Sequence, residues 1–247
     1  MSLALSLPVG FLDIVSGAFD FIFHERPAVT GGGVMVGGFD YVGHLAWTQL
    51  WISLVALTVS LAIALPAGVY LGHRGKGEFL AIGIGNAGRA VPELALVAFL
   101  AAFIGIGTEN AILALMVLGI PPILTNTFVA MKQVDRDSVE AARGMGMRGW
   151  QVALKVELPL AAPTVMGGVR TASINIIATA TIASLVGAST LGDLITGRNV
   201  YGDDGVFAGA MVVALMALTM ELGLAGLQRL LTPRGVKLQR AASRASA

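Results

Sequence analysis

Cysteine is absent from this 247-residue chain. That excludes disulfides, thiolate metal sites and cysteine nucleophiles together. Charge is scarce as well: 13% of residues are charged against 55% hydrophobic, and the mean hydropathy is +0.80. A water-soluble domain of this size needs a far more charged surface. A net charge of only +1 supplies no basic field, so nucleic acid is not expected as a partner. No phosphate-binding loop is present: Gly72 and Gly77 stand at the right distance, but Glu78 follows where lysine belongs. The chain therefore lacks the means to hydrolyse ATP by itself. A Gly-x-Ser-x-Gly elbow, a His-Glu-x-x-His helix and a paired-aspartate membrane protease motif are likewise missing. His24, His44 and His73 lie near span ends or in loops, and no metal site is expected from them.

What the chain does have is long apolar runs. Five stretches, at about 45–71, 79–103, 111–131, 161–187 and 207–231, approach the ~20 residues needed to cross the hydrocarbon. The expected class is an all-α integral membrane protein. Residues 1–23 are apolar but carry Asp13, Asp20 and Pro8 and have no basic leader, which argues against a signal peptide. The two aspartates fall on one helical face, so an interfacial amphipathic helix is preferred to a further span. Residues 24–39, with Gly31, Gly32 and Gly33, read as a linker. The expected division is 1–40 for the amphipathic helix and glycine-rich linker, 41–232 for the transmembrane domain, and 233–247 for a basic tail.

Lysine and arginine set the orientation. They concentrate between the first two stretches (Arg74, Lys76), in the segment holding Lys132, Arg136, Arg143, Arg148 and Lys155, and in the tail at Arg234, Lys237, Arg240 and Arg244. The loops at 105–110 and 188–206 hold only Arg198 against Glu109, Asp193, Asp203 and Asp204. By the positive-inside rule the basic loops and the C-terminus face the cytoplasm.

The polar, glycine-punctuated segment 137–159, DSVEAARGMGMRGWQVALKVELP, separates two apolar spans within a longer basic loop, 132–160. Asp137 followed by Glu140 three residues later is the pattern of a capping box, and Ala141, Ala142 and Arg143 favour helix. Gly144, Gly146 and Gly149 break that helix and let another surface approach the backbone. Leu158-Pro159 ends the segment, proline being tolerated in the first turn of the next helix.

Here the chain resembles the permease subunits of binding-protein-dependent ABC importers. Their cytoplasmic loop reads Glu-Ala-Ala, three residues, Gly, nine residues, Ile, one residue, Leu-Pro. This sequence has Glu140-Ala141-Ala142, Gly146, Val156 in place of Ile, and Leu158-Pro159, with every spacing kept. The likeness extends over about 45–231. Asn86, Arg89, Val91-Pro92 and Leu94-Ala95-Leu96 resemble the second-span pattern of importers for compatible solutes and methionine. Pro121-Pro122, Asn126-Thr127, Gly168, Arg170-Thr171-Ala172, Gly187-Ala188 and Leu191-Gly192 resemble most the branch for glycine betaine, choline, carnitine and proline betaine. One departure stands out: Ser189-Thr190 replace the middle glycines of that branch's Gly-Ala-Gly-Gly-Leu-Gly run, which leaves the geometry of the outer loop open.

The resemblance implies a type I ABC importer transmembrane fold, with five core spanning helices plus the N-terminal interfacial helix. It also implies that the loop docks in a groove of a separate ATPase, with Asp137, Glu140, Ala141, Ala142, Arg143, Gly146, Arg148, Leu158 and Pro159 as the coupling residues. The implied partners are two ATPase subunits, a second permease that is the same or a homologous chain, an extracytoplasmic solute-binding protein and membrane lipid. ATP and Mg²⁺ belong to the ATPase, and this chain binds no cofactor. The expected function is thus the pore subunit, not an enzyme, of an importer for a quaternary amine, with an amino acid or other zwitterion as the alternative substrate. An ATP-independent secondary transporter or a membrane-embedded enzyme is the alternative class; an odd span count and no evident inverted repeat stand against it.

Polar groups inside the spans are the pathway candidates, because a charge at the bilayer centre costs about 2.5 to 3.5 kcal/mol and has to face protein or water. Arg89 and Glu93, four apart, are expected to pair on one helical face, with Pro92 as a kink between them. A purely structural ion pair at a subunit interface is the alternative. Thr171, Asn175 and Ser184, with Thr179 near their stripe and Asn126 on the preceding span, could line an uncharged polar route. Close interhelical packing explains the same residues equally simply. Glu221 in the last span calls for a partner on a neighbouring helix. Gly68 with Gly72, and Gly205 with Gly209, have the spacing of helix contacts.

Overall fold

The structure is a computed structural model that describes residues 10–232, apart from the side chains of Phe11 and Leu231; the expected basic tail, 233–247, lies outside the described residues. The chain runs through helix α1 (Phe11–Phe23), strands β1 (Glu25–Pro27) and β2 (Met35–Gly37), and helices α2 (Phe39–Arg74), α3 (Glu78–Ala90), α4 (Glu93–Ile104) and α5 (Thr108–Lys132). Then come α6 (Arg136–Gly144), α7 (Gly149–Val152), a π-helical turn (Ala153–Glu157), α8 (Leu158–Thr179), a 3₁₀ segment (Ala180–Val186), α9 (Gly192–Thr196) and α10 (Arg198–Leu231).

Among the described residues, four helices or continuous helical runs are long and apolar enough to span a membrane: Phe39–Arg74, Thr108–Lys132, Gly149–Val186 and Arg198–Leu230. The second expected span, 79–103, is broken. The halves α3 and α4 meet at 92°, so a straight 79–103 helix is not formed. The cause is local: proline at position 92 drives Val91 out of the helical region, to φ −73° and ψ 121°. Pro92 is thus not a kink inside a helix but the residue that starts the second half.

At the centre sits α5, packed against α2, α8, α3 and α4. The α2 seat depends on small residues. A Cβ on Gly68 would stand 2.6 Å from Thr127 Cβ, and one on Gly72 would stand 2.5 Å from Met131 Cβ. Nothing larger than glycine fits there, and the two backbones approach as dispersion between membrane helices requires. Ile52, Ala56, Ala64, Ala114, Leu115, Ile123, Leu124, Ala172 and Ile176 fill the resulting core. Gly209 plays a similar part where α10 passes over Leu194 and the Leu191 carbonyl.

The N-terminal region caps the end away from the basic loops. At 13 residues, α1 is too short to span. It packs on α10, burying Ala18 and Phe21 among Leu191, Leu194 and Ala208. The expected linker is instead a small antiparallel hairpin, with Glu25 opposite Gly37 and the three glycines in its turn. Arg26 fastens it: its guanidinium lies over Phe21 and donates to Asp204 on α10 at 2.8 Å. In the outer loop the Thr190 hydroxyl, where the resembling branch has glycine, donates to the Ala180 carbonyl and accepts from Gly192 N–H, both at 3.3 Å. Gln49 of α2 closes the same corner, donating to the Ile177 carbonyl and accepting from Leu191 N–H.

On the basic side, Arg170 of α8 clamps α10. Its guanidinium pairs with Glu221 and donates to Gln228 at 2.7 Å, while Gln228 donates to the Pro163 carbonyl at 2.7 Å. This is the partner Glu221 called for. Little else holds the second half of α10, whose Leu215, Leu218, Leu222 and Leu230 are exposed. Glu221→Leu alone strands the Arg170 charge and is expected to lower the detergent-solubilised melting temperature clearly. Arg170→Met with Glu221→Leu, which removes both charges, should recover most of that loss in the same thermal-shift assay.

The loop helix α6 is capped by Asp135, not by the expected Asp137. The Asp135 carboxylate accepts from the Ser138 backbone N–H at 3.0 Å and from its hydroxyl at 2.9 Å. Those bonds hold its carboxyl below the usual aspartate range, the hydroxyl contributing most. The cap is therefore present above about pH 4, the unfolded aspartate value, and is lost as pH falls through the lower folded value. Asp135→Ala should speed amide exchange across 136–144 several-fold at neutral pH, and Asp137→Ala should leave it nearly unchanged, as read by hydrogen-exchange mass spectrometry.

Candidate functional site

Two features concentrate polar chemistry: the loop around α6 at one end of the helices, and a depression at the break between α3 and α4.

Most of α6 faces outward. Ala142 is its buried residue, whereas Asp137, Glu140, Ala141 and Arg143 are exposed. The helix stops in a Schellman turn: Met147 N–H bonds the Ala142 carbonyl and Gly146 N–H bonds the Arg143 carbonyl. Gly146 has φ +82°, and a Cβ there would meet nothing within 4 Å. Glycine is needed for its backbone conformation, and the space beside it is open. Met145 and Trp150 flank the turn and are exposed, at 77% and 56%. Arg148 starts α7, its backbone N–H bonded to Gln151 Oε1 at 2.8 Å.

Leu158-Pro159 does not end the helical path as expected. The path runs on from α7 into α8 through the π turn, whose Leu158 N–H reaches back five residues to the Ala153 carbonyl. Proline at 159 cannot donate and its ring crowds the carbonyl four residues before it, so a widened turn there lets the helix continue. Leu158 packs on the cluster of Ala130, Met131, Ala153, Ala161 and Val165, which seats the loop's exit on α5. Under α6 lies a depression of about 290 Å³ lined by His73, Lys132, Arg136, Glu140, Arg143 and Glu157 among others. From sequence His73 was weighed only as a metal ligand, and Glu157 was not singled out. They meet through Nδ1 and Oε2 at 2.7 Å, across 84 positions of chain.

The second feature is a depression of about 190 Å³ lined by Arg89, Glu93, Thr171 and Asn175, with Gly88, Val91, Leu118, Pro121 and Pro122. Arg89 and Glu93 do not form the expected pair on one face, because the break puts them on separate helices. Arg89 ends α3, where a cation suits the helix dipole, and Glu93 opens α4, where an anion does. Glu93 accepts instead from the Thr179 hydroxyl at 2.8 Å. That bond ties Thr179, the last residue of α8, to the start of α4, and Thr179 is buried. Asn126 is also turned away from the depression, bonded to the Pro122 carbonyl on its own helix at 2.7 Å. Ser184 donates to the Thr181 carbonyl within the 3₁₀ segment. Of the expected stripe, Thr171 and Asn175 remain on the open surface. Among the described residues no cluster of three or more His, Asp or Glu is suited to a metal.

Residues 64–236 match the family described as the binding-protein-dependent transport system inner membrane component. The carnitine transport permease protein OpuCB of Listeria monocytogenes is 40% identical over 192 residues, covering 77% of this chain and 88% of that one. The glycine betaine/carnitine/choline transport system permease protein OpuCB of Bacillus subtilis (strain 168) is 38% identical over 190 residues, covering 76% and 88%. In structure, a chain of the MetNI methionine ABC transporter in an inward-facing conformation superposes with a TM-score of 0.68 at 22% identity, over 78% of this chain and 96% of that one. The protein is accordingly a multi-pass membrane protein with the type I ABC importer transmembrane fold, and it belongs to the family of inner-membrane permease subunits of binding-protein-dependent ABC importers.

Proposed function

We propose that this permease imports a quaternary-amine compatible solute of the glycine betaine, choline and carnitine class and is driven by separate ATPase subunits that seize α6. The observation that carries the ATPase part is the exposure of α6: apart from Ala142, the motif helix is turned outward on the basic side, with a basic depression beneath it. The names of the relatives at 38% and 40% identity support the substrate class. In this reading α6 and the C-terminus face the cytoplasm, in line with the lysine and arginine at that end. Two ATPase subunits hold ATP and Mg²⁺. This chain holds neither and is not itself an enzyme. A second permease copy or homologue completes the pathway, lipid surrounds it, and an extracytoplasmic binding protein delivers the solute.

Mechanistically, closure of the ATPases on ATP moves α6, and the loop passes that movement through the π turn into α8. Helix α8 carries Thr171 and Asn175 to the depression beside Arg89 and Glu93, so the moving helix is also the one with polar groups on the route. A polar lining with few charges suits a zwitterion or cation that must be released as easily as it enters. Selectivity rests largely with the binding protein.

The reading is tested by reconstituting the chain with its ATPase and binding protein in liposomes and measuring ATP-dependent uptake of labelled glycine betaine, choline and carnitine. Gly146→Leu strains a left-handed turn and should reduce uptake at least tenfold while the chain still inserts. Normal uptake by this variant would contradict the role given to the loop. Asn175→Leu, which fills the depression without touching the loop, should cut uptake several-fold and leave ATPase copurification intact.

A further inference from the structure

The contact between His73 and Glu157 is unexplained by the function proposed above. Glu157 closes the π turn, and its side chain is only 6% exposed. A carboxylate so placed needs a donor, since leaving it without one costs more than a surface group would. Among the described residues its side-chain partner is the His73 imidazole, bonded at 2.7 Å. The other ring nitrogen is turned toward the start of α7: a Cβ on Gly149 would stand 3.3 Å from His73 Nε2. The ring therefore lies between the first residue of α7, which it neighbours, and the last residue of the π turn, to which it is bonded. Its own base is firm, because the adjacent Gly72 is pressed against Met131 and the Phe128 carbonyl of α5.

We propose that His73 is a positioning residue for energy coupling, bonding the end of the α7–π segment to α2 and bearing on its start. The inference rests on the coupling-loop reading given under the proposed function. A π turn is a helix's weak point, with hydrogen bonds of looser geometry than an α-helix. Pushed only from α6, it would flex and absorb the displacement before α8 moved. With the imidazole wedged against it and bonded to Glu157, the segment moves as one piece, and the push reaches α8 and α2 together. Without that tie, ATP is hydrolysed and less solute moves.

The experiment uses the full assembly of permease, ATPase and binding protein in liposomes, with glycine betaine as the probe, and reads solute taken up per ATP hydrolysed. His73→Leu keeps bulk and removes the donor; His73→Asn places an amide N–H where Nδ1 stood. The expected result is a ratio at least fivefold lower for His73→Leu, with the ATPase still copurifying and still hydrolysing, and a ratio within twofold of the parent for His73→Asn. An unchanged ratio for His73→Leu, or uptake and hydrolysis falling in proportion, would overturn the inference and leave the coupling-loop reading standing. Should the parent chain itself retain no ATPase, that reading fails, and the inference with it. If His73→Leu does not assemble, His73→Gln replaces it: its amide reaches the place of Nε2 rather than Nδ1. A lower ratio for Gln than for Asn then supports the tie, and equal ratios refute it.

Discussion

The seat of α2 on α5 at Gly68 and Gly72 is the contact on which the rest of the structure depends. In a bilayer the lipid tails compete with any apolar side chain, so helices associate by close packing and by satisfying polar groups. Both occur along α5. Glycine lets α2 approach at two successive turns, and Ser60 of α2 donates to the Met116 carbonyl of α5 at 2.9 Å. The far end of α2 is thereby fixed, and His73 projects from it toward the loop. The near end of α8 is fixed on the same helix through Leu158, Ala161 and Val165. The frame is rigid beside the place where the chain has a π turn, a left-handed glycine and an exposed short helix. Under the proposed function such a frame would pass on a push received at one point, because packed interiors shift as units rather than deform smoothly.

The polar depression follows from the same economy of backbone bonds. Proline at 92 ends α3 and starts α4, which leaves helix-terminal groups at mid-span. Arg89 and Glu93 each stand at the terminus whose dipole favours their charge. Broken backbone at such depth is tolerated where protein or a cavity receives it. Pro121 and Pro122 of α5, with Thr171 and Asn175 of α8, supply that setting. The charges thus serve the break first, and a polar opening results.

Much of this was legible in the sequence. Four of the five spans, the loop helix, its stop at Gly146 and the need of Glu221 for a partner all follow from composition and spacing, which are local properties. What failed was decided by tertiary structure or by a choice between near-equal local options. Asp137 with Glu140 mimics a capping box, yet Asp135 wins because Ser138 gives it two donors. The helical face shared by Arg89 and Glu93 presumes an unbroken helix, and the 92° bend removes it. The hairpin at 25–37 was hidden because its strands are three residues long and the turn between them is glycine-rich. His73 and Glu157, far apart in sequence, carry no local sign of their meeting.

The central claim is that the outward face of α6 is where a separate ATPase engages. Ala141 is exposed on that face and is small enough to replace without loss of packing. A photo-crosslinking amino acid placed at Ala141 in native membranes, with the adduct identified by mass spectrometry, tests the claim directly. The account predicts an adduct with an ABC ATPase subunit that changes in yield when ATP is added. Adducts with lipid alone, or with no ATPase under either condition, would contradict it.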